Sequence, residues 1–370
     1  MSELTMRWVA TAAGAAHAAP DTERVPLGGL LLQAGERPSP SIYLFLRPAG
    51  VWHLLPIEEA IASRGIDVLA VSTRYARNEA LAVAEYTLLD IGAWVRLARE
   101  TLGYRQVNLL GWSGSGTQSA FYQEQAVRPT ITATPDGSGL DLAAAGLEPA
   151  DGLVFLGAHV SRARMLADMI DPSVIEEDLS TARDPAFDLY GAMAPEPPFD
   201  PAFIASYRAA QLARIRRITA FARRQIERGV PDPFIVRRTM ADPHFLDPAI
   251  DPNERLPGRC WLGVPCAVNE AASGIARLTT PEAWLSQWSI DDSNVDAVRS
   301  ASAVLTPLLV IENGADDAVP PRQLRDTFET AASRDKTYLR VPGASHSYQG
   351  QPHALAMVAD AVSAWASERH

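Results

Sequence analysis

The chain has 370 residues, 47% of them hydrophobic and 21% charged, and this ordinary globular balance excludes a mainly disordered protein. Its 44 acidic and 33 basic residues give a net charge of -11, which argues against nucleic acid and anionic membranes as partners. The two cysteines, Cys260 and Cys266, are too few for a disulfide framework or a cysteine-rich zinc site. No run of about 18 to 20 apolar residues predicts a membrane helix. We therefore expect a cytoplasmic protein, with export of a precursor, suggested by the alanine-rich segment 8–20, as the less favoured alternative.

Short apolar runs alternate with helical patterns along the first part of the chain. In order, the patterns predict strand 42–46, helix 57–63, strand 66–71, helix 81–102, strand 107–110, a helix from about residue 117 and strand 153–156. The same alternation returns late in the chain as strand 308–311, helix 321–332, strand 337–341 and helix 354–367. Strands that alternate with helices predict an α/β protein with a mostly parallel sheet flanked by helices.

The segment between these two parts differs in composition. It is rich in proline and contains one strong helix at residues 201–229, with proline at its first position and glycine at its end. We therefore predict a core formed by residues 1–160 and 304–370, interrupted by a mainly helical cap at residues 161–303. The polar face of the strong helix is rich in arginine and predicts a solvated surface: Arg208, Arg214, Arg216, Arg217, Arg223, Arg224 and Arg228.

A serine stands between a predicted strand and a predicted helix. Strand 107–110 leads directly into the sequence GWSGSG at residues 111–116. A serine on such a sharp turn exposes its hydroxyl above the sheet, and the turn requires small neighbouring residues. The pattern departs from Gly-x-Ser-x-Gly at one position, where Ser115 replaces glycine, and serine is small enough to fit there. The motif predicts a nucleophile elbow with Ser113 as the nucleophile.

Candidate partners for this serine follow two later strands. Asp316 and Asp317 follow strand 308–311, and His346 follows strand 337–341. The carboxyl ends of parallel strands meet at one edge of a sheet, so these side chains can lie close together. The histidine would accept the proton of Ser113 and return it to the leaving group, while either aspartate would orient the imidazole.

These motifs resemble those of the alpha/beta-hydrolase superfamily, in particular its Ser-Asp-His members with a long cap inserted after the sixth strand. The sequences LLGWSG at 109–114 and GASHSYQGQP at 343–352 are similar to a largely uncharacterised bacterial branch of it. The resemblance covers residues 27–159 and 305 to the end, and it implies the alpha/beta-hydrolase fold. It also implies that Asp316 is the acid, because the superfamily pattern places two residues between the aspartate and Val-Pro.

The resemblance further implies an oxyanion hole made of two backbone N–H groups. One comes from Gly114, and the other comes from the loop after the third strand, which reads RPAG at residues 47–50. Proline has no N–H to donate, so Ala49 is the expected donor and Gly50 the alternate. The residues expected to line the pocket are Trp112, Gly50, His53 and His159.

The combined expectation is a serine hydrolase that cleaves a carboxylic ester or lactone of an apolar small molecule through an acyl-enzyme, without a cofactor or metal. An amidase, a thioesterase or a carbon–carbon bond hydrolase would use the same triad. A non-catalytic ligand-binding protein of this fold would retain the triad and use its pocket only to capture a ligand. Whether the protein forms a homo-oligomer stays open. Six aromatic residues of the predicted cap can either wall the pocket or form its core: Phe203, Tyr207, Phe221, Trp261, Trp284 and Trp288.

Overall fold

A computed structural model describes residues 4–19, 22–33, 35, 39–47, 55–177 and 181–369. Eight strands in these ranges form one sheet, and two further short strands pair with each other. In chain order the strands are β1 (Thr5–Ala19), β2 (Thr22–Gln33), β3 (Ser41–Leu46), β4 (Asp67–Val71), β5 (Gln106–Trp112), β6 (Gly152–Leu156), β7 (Phe234–Ile235), β8 (Leu278–Thr279), β9 (Leu308–Asn313) and β10 (Lys336–Val341).

The same ranges contain ten α-helices. They are α1 (Pro56–Ala62), α2 (Ala84–Arg96), α3 (Gly114–Val127), α4 (Arg162–Met169), α5 (Pro201–Glu227), α6 (Pro265–Glu270), α7 (Pro281–Gln287), α8 (Ala297–Ala301), α9 (Pro321–Thr330) and α10 (Pro352–Ser367). None of the helices in the described part of the chain combines the length and the apolar composition that crossing a bilayer requires.

The main sheet is mostly parallel, with the strand order β1-β2-β4-β3-β5-β6-β9-β10. Only β2, among the described strands, runs antiparallel to both of its neighbours. The register pairs Leu46 with Gly111 and Trp112 with Leu156, so β3, β5 and β6 end at the same edge of the sheet. The predicted α/β class with a mostly parallel sheet is therefore confirmed, and this edge carries the loops that follow those strands.

Helices cover both faces of the sheet because successive strand residues point to opposite sides. In β3, Ile42 and Leu44 pack on the face that α2 and α3 cover, whereas Tyr43 and Phe45 pack on the face that α1 and α10 cover. The central strands are buried on both faces, and this explains their continuous apolar runs.

Two helices differ from the sequence prediction. The helix predicted over 81–102 divides into a 3₁₀ turn (Glu79–Leu81), the regular helix α2 and a π-helical turn (Leu97–Thr101). The helix predicted from about residue 117 begins three residues earlier, directly after Ser113. Glycine and serine have low helix propensity, so the sequence favours a turn at GSG, residues 114–116. In the structure these residues form the first turn of α3, where Gly116 packs closely against Ala158 in the chain after β6.

The chain between β6 and β9, residues 157–307, is called the insertion below. Its longest element is α5, and two of the exposed arginines of this helix pair with carboxylates, Arg216 with Asp291 and Arg223 with Asp292. The predicted solvated face is wrong for Arg214, which is fully buried. Its guanidinium pairs with Glu177 and donates to the backbone carbonyl of Asp171, so the charge is compensated inside the insertion. The division of the chain into core and cap domains stays a prediction.

Candidate active site

Ser113 stands on a strained turn between β5 and α3. Its backbone has φ 58° and ψ -129°, a conformation that L-residues rarely adopt. A Cβ atom on Gly116 would lie 2.3 Å from the Cβ of Ala158, and one on Gly111 would lie 2.6 Å from the Cα of Gly116. The turn thus needs glycine on both sides of the serine, as the elbow motif predicts.

A chain of hydrogen bonds joins Ser113 to two distant loops. The Ser113 Oγ lies 3.1 Å from Nε2 of His346, and Nδ1 of the same ring lies 3.1 Å from Oδ2 of Asp316. Asp316 follows β9 and His346 follows β10, so adjacent parallel strands bring them to one edge of the sheet. The structure brings together three residues that the sequence singled out, separated by up to 233 positions.

The environment of Asp316 holds its carboxylate in the ionised form. Burial would raise its pKa, but His346 and the backbone N–H groups of Ala318 and Val319, each 2.8 Å from Oδ1, lower the pKa below its ordinary value. Burial and the neighbouring Asp316 instead raise the pKa of Asp317, which is half-buried. Asp316, and not Asp317, holds the imidazole.

The electrostatics of His346 suit a proton acceptor. Burial alone would lower its pKa, but the charge and the hydrogen bond of Asp316, together with the charge of Asp317, outweigh burial and raise the pKa above the ordinary value of 6.5. The bond from Nδ1 to Asp316 places the proton of the neutral ring on Nδ1. Nε2 is then free to accept the proton of Ser113.

Three aromatic rings surround the imidazole of His346. Trp112 stacks on it with 4.9 Å between ring centroids, and its indole N–H donates to the His346 carbonyl. Trp261 of the insertion approaches edge-on at 6.3 Å, and His159 lies at 6.5 Å. Trp112 and His159, which we expected at the pocket, thus lie next to the imidazole. Of the six aromatic residues named for the predicted cap, Trp261 is the one among these three rings.

His159 is buried beside the site and held as a neutral ring. Burial, and then the charge of His346, lower its pKa to about 4. Gln323 Oε1 accepts from the backbone N–H of Val160 and lies 3.2 Å from Nδ1 of His159, so the ring proton is on Nδ1. No sequence signal points to Gln323, because it begins no motif and lies 164 residues away.

The first donor expected for the oxyanion hole lies where the resemblance implies. Gly114 is the first residue of α3, and the N–H groups of a helix's first turn have no acceptor within the helix. The other expected donor, Ala49, and the expected pocket residues Gly50 and His53 lie outside the residues that the structure describes.

Two cavities in the described part of the chain are lined by residues adjacent in sequence to Ser113, Asp316 or His346. A narrow cavity of about 30 Å³ begins at Gly114 and is lined by β3, α2, α3 and Arg162 of the insertion. A groove of about 700 Å³ lies between Trp261 of the insertion and the loops that carry Asp317 and Ser345.

Comparison with known proteins defines the fold. No protein-family model matches the sequence, and a comparison with curated protein sequences finds no significant match. Among solved structures, DcsB in complex with its substrate analogue is 16% identical, with a TM-score of 0.52 over 98% of this chain and 99% of that one. The siderophore hydrolase EstB from Aspergillus fumigatus is 12% identical, with a TM-score of 0.50 over 96% and 97%. This protein therefore has the alpha/beta-hydrolase fold.

Proposed function

We propose that this protein is a serine hydrolase that cleaves a carboxylic ester or lactone through an acyl-enzyme. The observation that carries the proposal is the chain of hydrogen bonds from Ser113 through His346 to Asp316, built on a strained elbow. The similarity to the fold of a siderophore hydrolase is consistent with it. Chemistry of this kind needs a nucleophile, a base and a group that orients the base, and needs no cofactor.

In the proposed mechanism, Ser113 Oγ attacks the carbonyl carbon of the substrate while Nε2 of His346 takes its proton. The carbonyl oxygen becomes an oxyanion and accepts a hydrogen bond from the N–H of Gly114, with Ala49 as the proposed second donor. When the tetrahedral intermediate collapses, His346 gives its proton to the departing alcohol and the acyl group stays on Ser113. Water, deprotonated by His346, then attacks the acyl carbonyl, and the second tetrahedral intermediate collapses as His346 returns the proton to Ser113 Oγ and the acid is released.

The bond that is cleaved can be identified with a matched series of substrates. We expect the enzyme to hydrolyse an acetate ester and a small lactone faster than the corresponding amide and thioester. The measurement is kcat/KM for each substrate with the wild type and with Ser113→Ala as the blank. If the amide or the thioester is cleaved faster, that bond replaces the ester or lactone in the proposal. If Ser113 reacts with a fluorophosphonate but no substrate is turned over, a ligand-binding protein is favoured.

The pH dependence should follow the protonation of His346. A protonated imidazole cannot accept the proton of Ser113, and Asp316 holds the pKa of this ring above 6.5. We therefore expect kcat/KM to fall as the pH is lowered, with a midpoint above 6.5 for the free enzyme. In Asp316→Asn the midpoint should move to lower pH, because burial still disfavours the imidazolium and, of its two counter-charges, only the more weakly acting Asp317 remains. An unchanged midpoint in that variant would contradict the assignment.

We further propose that the insertion acts as a cap, because its residue Trp261 reaches the imidazole. Trp284, in contrast, is fully buried in the core of the insertion, where its indole N–H donates to Thr219. Trp284→Ala should destabilise the protein by about 3–5 kcal/mol. The ratio of kcat/KM between short and long acyl esters should stay unchanged. Trp261→Ala is the matched variant and should change kcat/KM. A changed ratio between short and long acyl esters in Trp284→Ala would mean that Trp284 contacts substrate.

A further inference from the structure

The insertion contains a cavity of about 450 Å³. Its described wall is formed by the C-terminal half of α5, by β7 with its flanking residues, and by Glu177. The volume is in the range of pockets that bind small organic molecules, about 300 to 1,000 Å³. None of the described wall residues takes part in the hydrogen bonds that join Ser113, His346 and Asp316, so the proposed mechanism makes no use of this cavity.

Part of the cavity wall is apolar and open to solvent. It is formed by Ile218, Phe221, Phe234, Ile235 and Val236. Phe221 is 37% exposed and Ile235 is 54% exposed, whereas Val236 is fully buried, so the wall runs from the surface into the core of the insertion. Phe221 and Phe234 meet edge to face, with 5.2 Å between ring centroids. A hydrocarbon group that covers this concave wall removes apolar surface from water, which is favourable.

Two arginines line the same cavity, and neither forms an ion pair with a carboxylate in the described part of the chain. The guanidinium of Arg217 donates to the backbone carbonyl of Val174, and that of Arg237 donates to the backbone carbonyl of Glu177. Each of these bonds uses one N–H of a guanidinium group that has five. The backbone of residues 174–177 therefore holds both groups at the cavity and leaves each of them with N–H donors for an anion.

The carboxylate of the described wall does not compensate these two charges. Oε1 and Oε2 of Glu177 accept from Nε and Nη2 of Arg214, at 2.8 and 2.6 Å. Arg214 is fully buried and is not part of the cavity wall, so this ion pair cancels its own charge. The described wall is left with the two positive charges of Arg217 and Arg237 beside an apolar surface, in a protein whose net charge is -11. A complementary ligand has an anionic head and an apolar body.

We propose that this cavity is a binding site for a medium-chain fatty acid. The carboxylate accepts hydrogen bonds from Arg217 and Arg237, and the hydrocarbon tail packs against Phe221, Phe234 and Ile235. A guanidinium group matches a carboxylate because its planar fork can donate two parallel N–H bonds. A neutral lipid would leave both guanidinium groups unused, and a short acid would leave the apolar wall in water. The inference does not rest on the proposed function, because no step of the hydrolysis involves this cavity.

Calorimetric titration with octanoate and three reference compounds tests the two halves of the site. The references are butanoate, which has the same head and a shorter tail, octan-1-ol, which has the same tail without a charge, and octylammonium, which has the opposite charge. We expect one octanoate per chain, bound about ten-fold or more tightly than butanoate, because its longer tail buries more apolar surface. The same margin is expected over octan-1-ol, because a hydrogen bond to a charged group is worth about ten-fold or more. Equal or tighter binding of any of the three references would overturn the proposal.

Variants of the wall locate the bound acid. Arg217→Gln combined with Arg237→Gln should weaken octanoate binding by about ten-fold or more and leave octan-1-ol unaffected. Ile235→Ser should weaken both compounds, because it shortens the apolar wall. The control is Arg216→Gln, which changes the preceding residue of α5, outside the described wall and paired with Asp291, and it should keep the wild-type affinity. If the double variant does not fold, Arg217→Gln alone decides, because that side chain is exposed. Unchanged octanoate affinity in the folded variant would overturn the proposal.

A further titration separates this cavity from the candidate active site, because a carboxylic acid is also the product of ester hydrolysis. Reaction of Ser113 with a fluorophosphonate fills the active site and leaves the cavity of the insertion open. The modified protein should bind octanoate with the affinity of the unmodified protein. Loss of binding after modification would place octanoate at Ser113 and overturn the inference. If the probe does not react, the proposed function fails, and the wall variants of the unmodified protein still decide whether the cavity binds the acid.

Discussion

Ser113→Ala should lower kcat for the best ester by about 10⁶-fold, the loss found when the nucleophile of a well-studied serine protease is removed. The reason is that the acyl-enzyme cannot form without the Oγ that lies 3.1 Å from His346. The fold should be intact, because alanine tolerates the positive φ at this position about as well as serine does. Activity is measured by initial rates, and Tm by thermal unfolding.

Ser119→Ala is a suitable control, because that serine lies in the same helix and its hydroxyl bonds only to the Ser115 carbonyl among the described residues. It should retain kcat within about ten-fold, since an ordinary hydrogen bond contributes about 1 kcal/mol. Turnover by Ser113→Ala at a substantial fraction of the wild-type rate would show that another group is the nucleophile.

Asp316→Asn should lower kcat by about 10⁴-fold, the effect of the equivalent change in a well-studied serine protease. The amide cannot stabilise the imidazolium, and it favours the tautomer with the proton on the wrong nitrogen. Asp317→Asn is the matched variant, because Asp317 is one residue away and has no hydrogen bond to the imidazole ring. Its kcat should stay within about ten-fold of the wild-type value, since a single hydrogen bond contributes about 1 kcal/mol. The comparison is of kcat at the pH optimum of each variant, and the reverse ranking would move the acid to Asp317.

Much of the core was predictable because its strands are buried on both faces. Such strands are continuous apolar runs that can be recognised in the sequence. The elbow serine, the aspartates and the histidine each follow one of these strands, so their positions at the edge of the sheet could be predicted. The start of α3 was misplaced because local propensity favours a turn at GSG. The contact between Gly116 and Ala158, which connects α3 to the chain after β6, overrides that propensity.

The surroundings of the site were less predictable, because they depend on contacts between residues far apart in the sequence. Gln323 holds His159 across 164 positions, and Arg162 pairs with Glu79 across 83. The buried Arg214 shows the same limit: helical periodicity places arginine on the polar face, but it cannot show that Glu177 and three backbone carbonyls lie there to receive it.

The most direct test of the central claim is to map the residue that a fluorophosphonate modifies. Intact mass spectrometry should show one adduct per chain, and peptide mapping should place it on Ser113. Ser113→Ala should show no adduct under the same conditions, whereas Ser115→Ala should still be labelled. An adduct on any other residue, or undiminished labelling of Ser113→Ala, would contradict Ser113 as the nucleophile and the mechanism built on it.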